Sequence, residues 1–227
     1  MSATLHLVAT PIGNLEDLTV RAARLLREAP LVLCEDTRET AKLLKSIEAR
    51  PPMQSVHVHT TDEALDRILE RVREAGSACY VCDAGTPGMN DPGGRLVSRA
   101  WKKGIKVVPI PGPSALTSAI SACGFPMEAF RYIGFIPHKK GRQTLFRELA
   151  EAEDAVIFLE STHRIEKTLT SLKETLTPGR LLWVGRELTK QFETCYRGSI
   201  DEVIQGLQAT SWKGEFIVVL APKEYAE

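Results

Sequence analysis

Apolar positions in the first half of the chain fall into short runs separated by longer stretches with helical spacing. Runs at 5–9, 31–34, 55–58, 78–82 and 106–110 are rich in Val, Leu and Ile, as buried strands are. Between them, 17–28 carries Leu18, Ala22, Leu25 and Leu26 on one face, and 61–75 carries Leu65, Ile68, Leu69 and Val72 ahead of Gly76, a residue suited to ending a helix. Segments 39–47, 95–103 and 116–123 predict three more helices, the last built mainly from small residues. Strands alternating with helices predict a mainly parallel sheet with right-handed crossovers.

The rhythm changes near residue 130. Runs at 130–136, 155–159, 181–185, 192–197 and 215–220 have fewer helical segments between them, 143–152 being one, and the pair flanking Thr189 predicts antiparallel neighbours and hence a mixed sheet. Gly124 and Pro126 lie in a stretch without periodicity and mark a boundary. The expected fold class is α/β, with two α/β domains facing each other across a cleft. The N-terminal domain, residues 1–122, has a mainly parallel sheet, and the C-terminal domain, 123–227, a mixed one.

Composition narrows the setting. No apolar run in the 227 residues reaches the roughly 18 to 20 that a membrane span needs, and the start of the chain lacks a basic leader and is broken by Pro11, so a cytoplasmic protein is expected. Five cysteines, an odd number scattered among apolar segments, fit reduced core thiols better than a disulfide framework. Cys79 and Cys82 spell C-x-x-C, but strand alternation turns positions three apart to opposite faces. His57 and His59 share a face of the expected strand with no third ligand nearby, so no metal is expected. The formal net charge of zero gives a polyanionic partner no long-range help, which leaves any such role to a local patch.

Candidate chemistry gathers in the loops that follow the strands, where open α/β sheets bind ligands. Thr10 to Asn14 holds Gly13 and serves either as a plain turn or as a ligand contact. In CEDTR (34–38), an acid pair and Arg38 precede a helix, as a cap with a local ion pair or as a substrate contact. The segment 83–94 packs four glycines and two prolines between a strand and a helix, a density that suits close approach of a ligand to the backbone. It has neither the G-x-G-x-x-G spacing of a dinucleotide site nor the Gly-Lys-Ser/Thr of a P-loop. PIPGPSA (109–115) opens the small-residue helix. Further on, HKKGR (138–142) is a basic loop suited to phosphates, while ESTHR (160–164) and RELTK (186–190) end neighbouring strands and bring Glu160, Arg164, Arg186, Glu187 and Lys190 to one rim.

In this order, VATPIGNLEDLT (8–19), CEDTR, DAGTP with NDPG (83–93), PIPGPSA, GFIPHKKGR (134–142), ESTHR, RELTK and GEF (214–216) resemble the tetrapyrrole-methylase superfamily. Within it they resemble the small-subunit ribosomal RNA methyltransferase I family of cytidine 2'-O-methyltransferases. The resemblance runs nearly end to end. It implies a homodimer that folds S-adenosylmethionine into the cleft between its domains and acts on small-subunit ribosomal RNA or the assembled subunit. By motif, cofactor contacts fall on Pro11, Asp83, Ala84, Gly85, Pro87, Met89, Asn90, Asp91, Ser114 and Ala115, with Phe158, Leu159, Leu188, Glu215 and Phe216 closing the adenine side. Among the charged motifs, Glu187, Glu160, Asp36 and Lys190 are candidates for the base or orienting group, because a carboxylate or desolvated amine can take a hydroxyl proton. Arg38, Lys139, Lys140, Arg142, Arg164 and Arg186 are candidates for the RNA. Family members commonly continue past the GEF strand into an extension, which this sequence does not show. Rival readings are a sister enzyme acting on a tetrapyrrole or a modified protein histidine, and an RNA-binding module without catalysis.

Overall fold

The computed structural model describes residues 3–225. It divides into two compact units, Met1–Ser114 and Ala115–Glu227.

In the first unit, β1 (Thr4–Val8), β2 (Val32–Cys34), β3 (Met53–Ser55), β4 (Ser77–Val81) and β5 (Lys106–Ile110) alternate with α1 (Val20–Glu28), α2 (Thr37–Ser46), α3 (Asp62–Ala75) and α4 (Gly93–Lys102). The strands lie in the order β3-β2-β4-β1-β5 and every pair is parallel. Alternation sends Leu5, Leu33 and Tyr80 to one face, against Leu65, Leu69 and Val72 of α3 and Leu96 and Ala100 of α4. Val8, Val32, Cys79 and Val81 go to the other, against Ala22 and Leu26 of α1 and Leu43 and Leu44 of α2. Both faces are therefore covered, and the strand sequences read as nearly unbroken apolar runs. The chain leaves β1 towards β2 on one side and leaves β4 towards β5 on the other. Since β1 and β4 are adjacent, the gap beyond their carboxyl ends is the topological switch point of the sheet.

The second unit contains α5 (Ala115–Cys123), β6 (Phe130–Phe135), α6 (Arg142–Glu151), β7 (Ala155–Ser161), α7 (Ile165–Thr175), β8 (Leu181–Arg186), β9 (Thr194–Ser199), α8 (Ile200–Ala209) and β10 (Glu215–Leu220). Its sheet runs β6-β7-β10-β8-β9, with β6 and β7 parallel and the other pairs antiparallel. Val156, Phe158, Val184, Phe216 and Val218 face α6, α7 and α8, whereas Ile157, Trp183, Ile217 and Val219 face Ala119 and Cys123 of α5. That second contact explains the division of the chain. The small residues of α5 let it lie flat on the mixed sheet, so the helix joins the second unit instead of the first, as a boundary at 122/123 had placed it.

Other departures are local. Helix α1 starts at Val20 instead of 17, because Asn14 caps a short 3-10 turn at Leu15–Asp17 and Thr19 then caps the helix proper. β3 ends at Ser55, and His57 and Val58 lie in the turn behind it, where His57 N donates to Thr60 Oγ1 at 2.8 Å. His57 and His59 consequently share no strand face. Two helices, α7 and α8, stand where few were expected. The buried stripe of α7 includes Thr168 among Ile165, Leu169 and Leu172, which blurs its period, and α8 begins with a capping box made by Ser199 and Glu202. No helix among the described residues is long and apolar enough to cross a membrane.

Candidate active site

Three loops are knitted together at the switch point of the first sheet. Thr10 and Gly85 exchange backbone hydrogen bonds of 2.9 and 3.0 Å, which join the loop after β1 to the loop after β4. Thr10 Oγ1 donates to Cys82 O at 3.2 Å, and Thr86 Oγ1 donates to Pro113 O at 3.1 Å, tying in the loop after β5. Glycine is required at two of these approaches: at Gly85 the backbone has φ +82° with Ile12 Cγ2 3.3 Å from where a Cβ would stand, and at Gly112 a Cβ would meet that of Ala9 at 3.0 Å. Asp91 organises the rest of the loop from within, accepting from Gly88 N at 2.6 Å, Met89 N at 3.1 Å, Gly93 N at 2.6 Å and Tyr80 Oη at 3.2 Å. Ser114 Oγ lies 3.9 Å from Met89 Sδ.

Of the expected cofactor contacts, Pro11, Asp83, Ala84, Gly85, Pro87, Met89, Asn90, Asp91 and Ser114 thus belong to this loop assembly; Ala115 opens α5 in the second unit. Asp91 is the organiser of its loop, with both carboxylate oxygens committed to protein donors. Replacing Gly85 by alanine puts a Cβ on a left-handed backbone and costs about 1–2 kcal/mol. The expected result is a lowered thermal midpoint with weakened binding of S-adenosylhomocysteine by calorimetry; a variant with wild-type values for both refutes the close approach.

At the end of β2, Asp36 caps α2 by accepting from Arg38 N at 2.8 Å, and its carboxylate also takes Arg38 Nη2 at 2.7 Å. Hydrogen bonds from the Arg38 side chain and backbone hold the Asp36 carboxyl well below the usual carboxylate range, so it stays ionised as the partner of Arg38. Arg38 is itself 85% exposed. Glu35, the other half of the acid pair, behaves oppositely: burial and then the negative charges of Asp83 and Asp91 push its pKa up.

In the second unit, RELTK and GEF meet. Glu187 Oε1 accepts from Glu215 N at 2.7 Å and from Lys190 Nζ at 3.0 Å, and Lys190 also reaches Glu215 Oε2 at 2.8 Å. The turn is strained, since Glu187 and Thr189 both have positive φ, 52° and 66°. Gly214 makes room for it, because a Cβ there would stand 2.6 Å from Glu187 Cγ, and Thr162 of ESTHR holds Gly214 by accepting from its N and donating to its O. Burial alone would raise the Glu187 pKa, but bonds from Glu215 N and Lys190 outweigh it and hold the carboxyl below its ordinary value. Burial would likewise lower Lys190, and bonds to Glu215 and Glu187 reverse that, so the ammonium stays charged.

Glu160 sits elsewhere than on this rim. It is 1% exposed; Oε1 accepts from Arg164 Nε at 2.7 Å and Ser161 N at 2.9 Å, and Oε2 from Thr168 Oγ1 at 2.7 Å. Arg142, 7% exposed, donates to Thr168 Oγ1 at 2.7 Å and stacks 4.8 Å over the Phe146 ring. Glu160 and Arg142 therefore offer no surface to a substrate, and Arg164 is largely consumed by Glu160. Arg186 is also inside, donating to Lys213 O at 2.6 Å and Phe192 O at 2.9 Å. Strand alternation separates the expected adenine contacts: Leu159 and Leu188 lie on the α5 face, but the rings of Phe158 and Phe216 are buried against α6 and α7. Lys139 and Lys140 are exposed, as is Glu215. Among the described residues no three His, Cys, Asp or Glu side chains gather as a metal site requires.

The tetrapyrrole (corrin/porphyrin) methylase pattern matches residues 4–204, which takes in the first sheet and all strands of the second except β10. A ribosomal RNA small subunit methyltransferase I of Thermotoga maritima is 40% identical over 220 residues, 97% of this chain and 99% of the relative. One of the same name from Halalkalibacterium halodurans is 41% identical over 96% of this chain and 75% of the relative. In fold, the uroporphyrin-III C-methyltransferase of Thermus thermophilus, solved in complex with S-adenosylhomocysteine, superposes with a TM-score of 0.61 at 20% identity over 95% of this chain and 96% of its own. A cobalt precorrin-4 methyltransferase superposes with a TM-score of 0.69 at 15% identity over 96% and 94%. The chain belongs to the tetrapyrrole (corrin/porphyrin) methylase family, on the branch of the small-subunit ribosomal RNA methyltransferases I.

Proposed function

We propose that this protein transfers a methyl group from S-adenosylmethionine to the 2'-hydroxyl of a cytidine ribose in small-subunit ribosomal RNA. The observation that carries the cofactor part is the closed set of loops around the Thr10–Gly85 bridge. The hydrogen bonds of that set hold the loops after β1, β4 and β5 in one fixed arrangement, with the exposed Asp83 carboxylate and exposed Asn90 on its surface as polar groups that suit a ligand with an amino-acid end and a ribose. The names and near 40% identity of the relatives support the ribosomal substrate. The 2'-position and the cytidine rest on the resemblance of the ordered sequence motifs to the cytidine 2'-O-methyltransferase family.

S-adenosylmethionine supplies an electrophilic methyl group on sulfur. What remains for the protein is to align a ribose oxygen and accept its proton. Glu187, ionised and fixed by two hydrogen bonds, is the acceptor; Lys190 holds it and, remaining charged, orients the negative charge that grows on the oxygen. Asp36 positions Arg38. Arg38, Lys139 and Lys140 contact phosphates, giving affinity that falls with salt.

The test is to incubate the purified protein with labelled S-adenosylmethionine and unmodified small ribosomal subunits or their free RNA, and to identify the methylated nucleoside by mass spectrometry. A 2'-O-methylated cytidine is expected. Cofactor binding with label in neither RNA sample, or label only in a tetrapyrrole or protein acceptor, overturns the reading.

A further inference from the structure

We infer that Phe135, with Lys139 and Lys140, forms a subsite for single-stranded RNA beside the reacting nucleotide, the ring stacking on a base and the lysines holding the phosphates that flank it. The inference rests on the RNA reading above and adds a residue and a contact to it.

It starts from strand register. β6 pairs with β7 as Phe130 with Ala155, Arg131 with Val156 and Tyr132 with Ile157, but the next pair is Phe135 with Leu159, so β6 spends three residues where β7 spends two. Without that bulge Phe135 would lie opposite Glu160, on the face that α6 and α7 cover. With it, Ile133 and Ile136 both pack into the core on that face and Phe135 turns to the other, opposite Leu159. The outcome is a large apolar ring 53% exposed at the carboxyl end of an edge strand, between the buried Gly134 and Ile136. Solvation gives no reason to aim a ring there, whereas a flat π surface suits a base.

Charge is supplied next to it. Residues 137–141 are exposed, and among the described residues His138, Lys139 and Lys140 have no ion-pair partner. The loop is nonetheless anchored: Arg142 N donates to Lys139 O at 3.3 Å, Gly141 adopts φ +82°, and the Arg142 guanidinium is bound to Thr168 Oγ1 and Pro137 O. Buried Arg142 thus presents the two lysines and does not itself contact RNA. Lys139 stands four residues from Phe135, within about 14 Å even along an extended chain, the scale of a few nucleotides.

The experiment uses the full chain and a short single-stranded RNA carrying 2-aminopurine, with fluorescence quenching as the stacking signal and anisotropy titrations at several salt concentrations. Phe135→Ala is expected to weaken binding roughly 5- to 160-fold, to abolish quenching and to leave the salt slope unchanged, while Phe135→Trp keeps both. Lys139→Ala with Lys140→Ala is expected to reduce the salt slope by roughly 1.4, two phosphates' worth on a single strand, and to retain quenching. Thermal midpoints and S-adenosylhomocysteine binding stay at wild-type values in all three variants. RNA affinity and quenching unchanged in Phe135→Ala, with wild-type RNA methylation intact, overturn this inference alone. A Phe135→Ala variant that changes the sedimented mass overturns it in favour of contact with a second copy. A wild-type chain that binds and methylates no RNA overturns the functional reading and this inference with it.

Discussion

Replacing Glu160 by alanine is expected to remove about 3–5 kcal/mol of stability, a large part of the roughly 5–15 kcal/mol a domain of this kind possesses. The carboxylate has no contact with solvent and supports four groups: the Arg164 guanidinium, Ser161 N, the Thr168 hydroxyl and, at 3.9 Å, Arg142. Its removal leaves two guanidinium groups inside the second unit without their counter-charge, and Arg164 Nη1 already lacks a partner there. Half-removal of a buried ion pair costs more than full removal, so the double variant Glu160→Leu, Arg164→Leu should recover part of the loss. Denaturant unfolding monitored by the fluorescence of the three tryptophans measures both. If Glu160→Ala keeps its unfolding midpoint and loses RNA methylation, Glu160 acts on the substrate and the buried network does not describe its role.

That distinction also shows where the sequence could be read and where it could not. Parallel and mixed sheets, and the loops at their carboxyl ends, were legible because burial on both faces leaves unbroken runs such as SACYV in β4 and EFIVVL in β10, and because glycines crowd between strand and helix at 83–94. The partners of charges were not legible. Glu160, Arg142 and Arg186 have the composition of a catalytic rim, yet each turns inward to satisfy backbone or side-chain groups that meet only in the folded sheet, such as Lys213 O for Arg186, 27 positions away. The rings of Phe158 and Phe216 lie on the face opposite Leu159 and Leu188, a separation that follows from the two-residue period of a strand and is contained in the sequence itself. α7 was lost to Thr168, a polar residue in a buried stripe, whose hydroxyl proves to be the bridge between Arg142 and Glu160. The bulge that exposes Phe135 has one signature in sequence, Gly134, a glycine inside the apolar run whose φ of +65° is the left-handed conformation a bulge uses.

Glu187→Gln carries the largest expected effect on turnover. Glutamine keeps an oxygen to accept from Glu215 N and Lys190 Nζ, so the strained turn and the fold remain, but it cannot take up a proton. Loss of a general base typically lowers kcat by about 10²- to 10⁴-fold. The KM for RNA and the affinity for S-adenosylhomocysteine should stay close to the wild-type values, because neither depends on proton transfer. The pH profile separates this from a structural role. The Glu187 carboxyl is held below its ordinary value, so in the wild type kcat should fall only as pH drops beneath the usual carboxylate range, where Glu187 becomes protonated and loses its capacity as a base. That acid limb should vanish in Glu187→Gln, leaving a low, flat rate. Lys190, raised by its two carboxylate partners, stays charged well into the alkaline range and gives no limb near neutrality. A Glu187→Gln enzyme within a few-fold of wild-type kcat, with its acid limb intact, assigns the proton to another group, and Glu35, whose pKa is pushed up by burial beside Asp83 and Asp91, is then the residue to replace next.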